Sequence, residues 1–345
     1  MVARHSRILS LLAAIAATWM TDCAAAADMT TAGGGANPGQ NQIYRSQAAK
    51  VLAGRTDANS LVTAAALRFA AINGKPRSKT VPADQQKSAD SQQSALDLVT
   101  LASEQAPQSA AIAWLHLQIC IGTPACSTPE VSTVMRWIDA DNGASWMPIL
   151  ATAQKDKDTV EITRVLDDMA QAPRFDLYLN RITVVMFDVL KAERHALPAE
   201  YAASDWARFT EVSGIATAET IPSFSALAEV CRDLAAADRR EVCLKLARIM
   251  QKGDTVATQM AGFGIERRLF PADSKEARAV AERKRLLEWR VTAASQFDLP
   301  LMPWAKNTRS RARLDQMRLR AREEDVCIAI LREHKVATEP AEDHR

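Results

Sequence analysis

The chain has few aromatic residues, only 5% of 345, and no segment in which apolar and polar residues alternate as they do along a half-buried strand. Glycine and proline are also sparse, 12 and 14 residues, too few for the many tight turns of a β-sandwich or barrel. An excess of one charge is missing as well. Lys and Arg number 43 against 41 Asp and Glu, so no global field selects a polyanionic partner. No apolar run reaches the ~20 residues that a helix needs to cross a bilayer. Two kinds of site motif are absent too: the Gly-x-Ser-x-Gly elbow and a zinc-ligand spacing. Gly262-Phe263-Gly264 lacks the third glycine, the preceding strand and the Lys-Ser/Thr of a phosphate loop, and reads instead as small residues where helices approach closely. No cofactor, metal or catalytic residue is therefore expected.

What remains is rich in alanine, leucine and long polar side chains, the residues that favour helices over pleated strands. The expectation is an all-α fold of stacked antiparallel helix pairs, an α-solenoid, with roughly twelve helices at usual lengths.

The N-terminus carries the plainest functional signal. Arg4, His5 and Arg7 precede an apolar run of 13 residues, Ile8 to Met20, and Ala24 to Ala27 offer small residues to a peptidase. Residues 1–27 read as a secretory signal peptide cleaved after Ala27. The run is too short for an anchor and meets Asp22, and Met20 and Asp22 do not suit lipidation at Cys23. A periplasmic or secreted protein follows, with no membrane span in the mature chain.

Residues 28–41 are rich in Gly, Asn, Pro and Gln and read as a flexible leader. A helical pair is expected over 42–74, its second helix capped by Asp57 and striped by Leu61, Ala65, Phe69 and Ile72. Residues 75–93 have no apolar period and read as a polar linker, followed by a helical array over 94–335 and a polar tail over 336–345. Within the array the breaks fall at Thr128-Pro129, Asp141-Asn142-Gly143, Asp158, Pro173, Pro198, Pro222 and Asp238.

One segment, Asp139-Ala-Asp-Asn-Gly-Ala-Ser-Trp146, resembles the tetratricopeptide family, in which an acidic, Asn-containing turn leads into a helix whose early Trp packs inside a helical hairpin. Trp146, Ile149 and Ala153 then lie on the first helix, Asp156 to Asp158 on the turn, and Ile162, Leu166 and Met169 on the second. Trp114 lies 32 residues before Trp146, near the 34-residue period of such repeats. The resemblance covers residues 110–173 and implies hairpins that bind peptides or proteins. More broadly, the chain is similar to uncharacterised exported all-helical proteins of bacteria, which implies no activity.

In an oxidising compartment the cysteines favour disulfides over metal. Cys231 and Cys243 sit equally far from a turn near Ala237-Asp238, and Cys120 and Cys126 flank a short corner; both pairs are expected to bridge. Cys327 is left as a buried small residue. His116 shares a helix face with Cys120, but reads as a residue between paired helices rather than a ligand. Asp167-Asp168 and Glu323-Glu324-Asp325 point apart on a helix and read as solvated faces. Arg309, Arg311, Arg313, Arg318, Arg320 and Arg322 make a basic first half of one amphipathic helix that runs on to Leu331, a capping helix of the array or a patch for an anionic surface.

Trp114, Trp137 and Trp146 are the candidates for a binding groove. The reading that follows is a non-catalytic interaction protein with a protein or peptide partner and no nucleic acid. An envelope-acting enzyme with a site assembled from distant residues, and a secreted effector or inhibitor, are the alternatives.

Overall fold

The computed structural model describes residues 38–73, 82–199, 204–232, 237–297 and 303–340, and several of its helices begin at a side-chain cap. After α1 (Pro38–Ala53), Asp57 accepts the amide of Ser60 at 2.9 Å and opens α2 (Ala58–Asn73). Then come α3 (Pro82–Gln105), α4 (Ala110–Ile121) and α5 (Thr128–Ile138), the last with Pro129 in its first turn. A 3-10 turn (Gly143–Trp146) leads into α6 (Met147–Asp156). Lys157 turns the chain in the left-handed region, and Asp158 accepts the amides of Val160 and Glu161 at 3.1 and 3.0 Å to start α7 (Thr159–Gln171). The remainder is α8 (Leu179–Ala192), α9 (Asp205–Thr220), α10 (Ser225–Val230), α11 (Ala237–Met250), α12 (Val256–Arg268), α13 (Lys275–Ser295), α14 (Pro303–Leu319) and α15 (Glu323–Glu333). The protein is all-helical among the described residues, and its one β feature there is an isolated bridge between Asn142 and Arg174.

Each helix from α1 to α6 packs on the next, and the chain then returns on itself. Helices α8 and α9 pack against α2 and α4, α11 against α7, and α14 against α8 and α9. In a linear stack a unit touches only its neighbours. Here the returns join one apolar core that runs from Ala48 to Leu331, and a smaller cluster of Phe263, Val280 and Leu287 lies under α12 and α13. The α1–α2 pair is part of that core, with Leu61 and Leu67 fully buried.

Four expectations change. The polar stretch 75–93 is helical from Pro82 onward, because α3 buries Ala95, Leu96, Val99 and Ala102 in its second half and good helix formers carry it back to a proline at its start. Residues 74–81 lie outside the described residues. The leader over 28–41 shortens, since α1 begins at Pro38; the signal peptide and residues 28–37 also lie outside. The basic stretch is not one helix. It breaks after Leu319, where Asn180 donates to the carbonyls of Arg320 and Ala321 at 3.1 Å and Asp254 O accepts Glu323 N at 2.8 Å. The tail over 336–345 is held at its start, where Val336 packs on the core and Arg290 donates to Thr338 O.

Both disulfides are present. Cys120–Cys126 closes the corner between α4 and α5 with Cα atoms 5.3 Å apart, and Cys231–Cys243 ties α10 to α11 at 5.7 Å. Cys327 is buried. Gly262 meets α11 so closely that an added Cβ would stand 2.7 Å from Ala247 O and 2.9 Å from Met250 Cβ, while Gly264 faces open space.

Replacing Gly262 by alanine is therefore expected to cost ~1–3 kcal/mol, whereas Gly264→Ala gains up to ~1 kcal/mol from helix propensity; midpoints of urea unfolding will separate the two. Loss of Cys231–Cys243 by double alanine substitution is expected to lower stability by ~2–3 kcal/mol, more than loss of Cys120–Cys126, because its loop is longer. The same unfolding curves rank them.

Candidate functional site

The three tryptophans do not form one groove. Trp114 is fully buried on α4, where its indole N–H donates to Thr220 O of α9 at 3.0 Å. That corrects its candidacy: with no face to solvent, it is a core residue joining two helices. The other two share a corner made by α5, the 3-10 turn and α7. Trp137 is 74% exposed near the end of α5, with Val134 one turn earlier at 54%. Trp146 is half-buried at the end of the 3-10 turn, and its ring carries the Arg136 guanidinium at 4.4 Å and that of Arg164 at 5.3 Å. Val160, four residues before Arg164 and on its side of α7, is 80% exposed.

The charges at this corner are arranged locally. Arg164 donates to Glu161 and, at 2.7 Å, to Asp168, and the bond to Glu161 raises its pKa while lowering that of Glu161. Burial, and then the like charge of Arg164, lower the pKa of Arg136, which stays cationic at any physiological pH. The result is two cations over one indole, with an exposed indole and an exposed valine on α5 and a second exposed valine on α7. Such rings and apolar side chains are what protein interfaces bury.

A buried polar network holds the corner. Asn142 has no exposed surface; its Oδ1 accepts Ala144 N at 3.1 Å and Asp176 N at 2.9 Å, and its Nδ2 donates to Asp139 Oδ2 and Asp176 O, both at 2.9 Å. Buried Asp139 also takes the Arg174 guanidinium and the Tyr178 hydroxyl. Ser132 donates to Ser145 O at 3.1 Å, fixing α5 against the turn that carries Trp146. The main force on Tyr178 is burial, which pushes its pKa up, with Arg174 pulling it back.

Next to this network lies Asp254, 4% exposed. Its two carboxyl oxygens accept Leu177 N at 2.8 Å and Tyr178 N at 2.6 Å. Burial pushes its pKa up to about 8, with Asp176 and Glu323 adding to the rise and the two amide bonds opposing it. A perturbed buried acid is a usual mark of catalysis. Here both oxygens are occupied by backbone amides, so the group acts as a clip between loops. Glu323, read as part of a solvated face, instead accepts Val256 N at 2.7 Å and has its pKa raised by burial. Glu324 takes Arg290 and Arg322 at 2.7 Å each. These two overturn the solvated reading of 323–325, because the break before α15 turns that helix start into the molecule. Asp167 and Asp168 do lie at the surface, Asp168 paired with Arg164.

The arginines of the basic stretch are engaged. Arg311 pairs with Asp205, Arg318 with Asp188 and Asp315, and Arg322 with Glu324 and Asp325, while Arg320 donates to Gln316. Arg309 and Arg313 have partners too, and Arg313 lies close enough to Glu323 to oppose the rise in its pKa. Helix α14 packs on α8 and α9, and this brings the acids of those helices to the arginines.

His116 lies between α3 and α4 with Ser103 Oγ at 3.1 Å and Thr100 Oγ1 at 3.4 Å, its pKa lowered by burial. Cys120 and Cys126 are bonded to each other and are not ligands. Among the described residues no group of three or more His, Cys, Asp or Glu could hold a metal ion. No protein-family profile, curated protein or solved structure matches the chain.

Because its folded pKa lies above that of the unfolded chain, near 4, Asp254 contributes stability that is complete below pH ~4 and is lost as the pH rises towards 8. The melting temperature of the wild type, relative to Asp254→Asn, is expected to fall from pH 5 to about pH 8 and to level off above it. A difference flat over that range would mean that the carboxyl titrates as an ordinary aspartate.

Proposed function

We propose that this chain is an exported, non-catalytic protein-interaction protein of the bacterial envelope that docks a protein or peptide on the helical hairpins of residues 110–173. The observation that carries the reading is the exposure of Trp137 and Val134 on α5 and of Val160 on α7, the two helices whose Arg136 and Arg164 meet over Trp146. An exposed tryptophan on a rigid frame offers a large anchor at low entropic cost, and interfaces draw most of their energy from such anchors. The α6–α7 hairpin that carries this corner is where the tetratricopeptide resemblance lies, and repeats of that kind use their surfaces to bind. Export is supported by the basic, apolar and small-residue order of residues 4–27 and by two disulfides, which persist outside the reducing cytosol.

An enzymatic reading draws on Asp254, the strongly perturbed acid. Its oxygens are already bonded to Leu177 and Tyr178, and this weighs against it.

The test is cross-linked capture from envelope extract with the wild type and with Trp137→Ala, followed by titration of the recovered partner in purified form. The expected outcome is one dominant protein whose affinity falls at least tenfold in Trp137→Ala, or ~1.4 kcal/mol, with the melting temperature unchanged. Recovery of no protein above background, or equal binding by the variant, would overturn the proposal.

A further inference from the structure

A second feature lies away from that corner, between α2, α4 and α8. There a cavity of about 130 Å³ opens to the surface. Its wall is apolar and comes from three helices: Val62 of α2, Leu115 of α4 and Met186 of α8, all buried. Its mouth is different. Asn59, Ser109 and Arg181 line it, and among the described residues none of the three side chains makes a hydrogen bond or an ion pair. Ser109 precedes α4 without its hydroxyl capping the helix. Arg181 makes no ion pair among the described residues, and no acidic side chain lines the cavity.

The size and the charge together constrain what fits. Apolar cavities of about 150 Å³ take a ring of six carbons, so this one suits a branched group of four to six. A free guanidinium, a hydroxyl and a carboxamide at the rim supply donors for a planar anion, and a guanidinium grips a carboxylate through two parallel hydrogen bonds. An isolated apolar hole would be indifferent to charge; an isolated surface arginine would be indifferent to the shape behind it. The combination selects a molecule with both features.

We propose that this cavity is a binding site for an aliphatic carboxylate, the branched tail held between α2, α4 and α8 and the carboxylate on Arg181 at the mouth. Two sources share that chemistry: a small free acid, and the last residue of a peptide ending in leucine or a similar side chain. The site does not depend on the Trp137 corner, and its failure leaves the reading of that corner unchanged.

Calorimetric titration of the purified protein tests it with three probes: 4-methylpentanoate, a pentapeptide ending in leucine with a free carboxylate, and the same peptide amidated. At least one free acid is expected to bind saturably with a Kd of ~1 mM or tighter, and the amidated peptide at least tenfold more weakly than its free form. Tighter binding of the peptide than of 4-methylpentanoate assigns the site to chain termini; the reverse assigns it to small acids. Arg181→Gln, at an exposed position, is expected to weaken binding about tenfold with an unchanged melting temperature. Val185→Phe, which fills the cavity from its half-buried edge, is expected to abolish it. No saturable binding of either free acid up to ~10 mM would overturn the proposal. So would amidated and free peptides that both bind saturably and with equal affinity, or a folded Arg181→Gln with wild-type affinity.

Discussion

A single buried residue, Asp254, ties together three loops that are far apart in sequence. Its carboxyl takes the amides of Leu177 and Tyr178 between α7 and α8, and its own carbonyl takes the amide of Glu323 at the start of α15. Glu323 returns the tie by accepting Val256 N at the start of α12. Loops buried in a helical protein carry backbone amides that no helix ladder satisfies, and each amide left bare costs ~1–3 kcal/mol. Two carboxyl groups meet that need here, and the elevated pKa of Asp254 is the consequence of keeping one of them out of water.

The Asn142 carboxamide works in the same way one layer out. It satisfies Ala144 and Asp176 amides and binds Asp139, so the end of α5, the 3-10 turn and the lead into α8 move as one piece. That rigidity bears on function. Trp137 and Trp146 are presented from a frame whose backbone is bonded on both sides, so an incoming partner would order few groups on docking and lose little entropy. The cavity between α2, α4 and α8 follows the opposite logic: its polar groups are at the rim, unengaged among the described residues, and its rigid part is the apolar wall of three packed helices.

Charge shows how far packing redirects a sequence pattern. Six arginines between residues 309 and 322 have only Asp315 among them as a local acid. In the fold further acids come to them from other helices: Asp205 from α9, Asp188 from α8 and Glu324 from α15. Asp205 is buried, which alone would raise its pKa, yet Arg208 and Arg311 outweigh burial and lower it. The arginines thus act as ties between helices.

By itself the sequence determined the helical class, because composition and a 3.6-residue apolar period act locally. It also marked several helix starts, since Asp57 and Asp158 accept the first amides of their own helices and Pro129, which has no N–H to leave unbonded, stands in the first turn of α5, and both disulfide pairs, because each spans a single short turn. Tertiary structure decided what depends on distant partners. It extended α3 back to Pro82 by burying that helix's far half, broke the basic helix after Leu319 through Asn180 and Asp254, put Trp114 inside and left Trp137 outside. It also brought Val62, Leu115 and Met186 around one cavity. Residues so far apart share no local period, so only the packing of whole helices could bring them together.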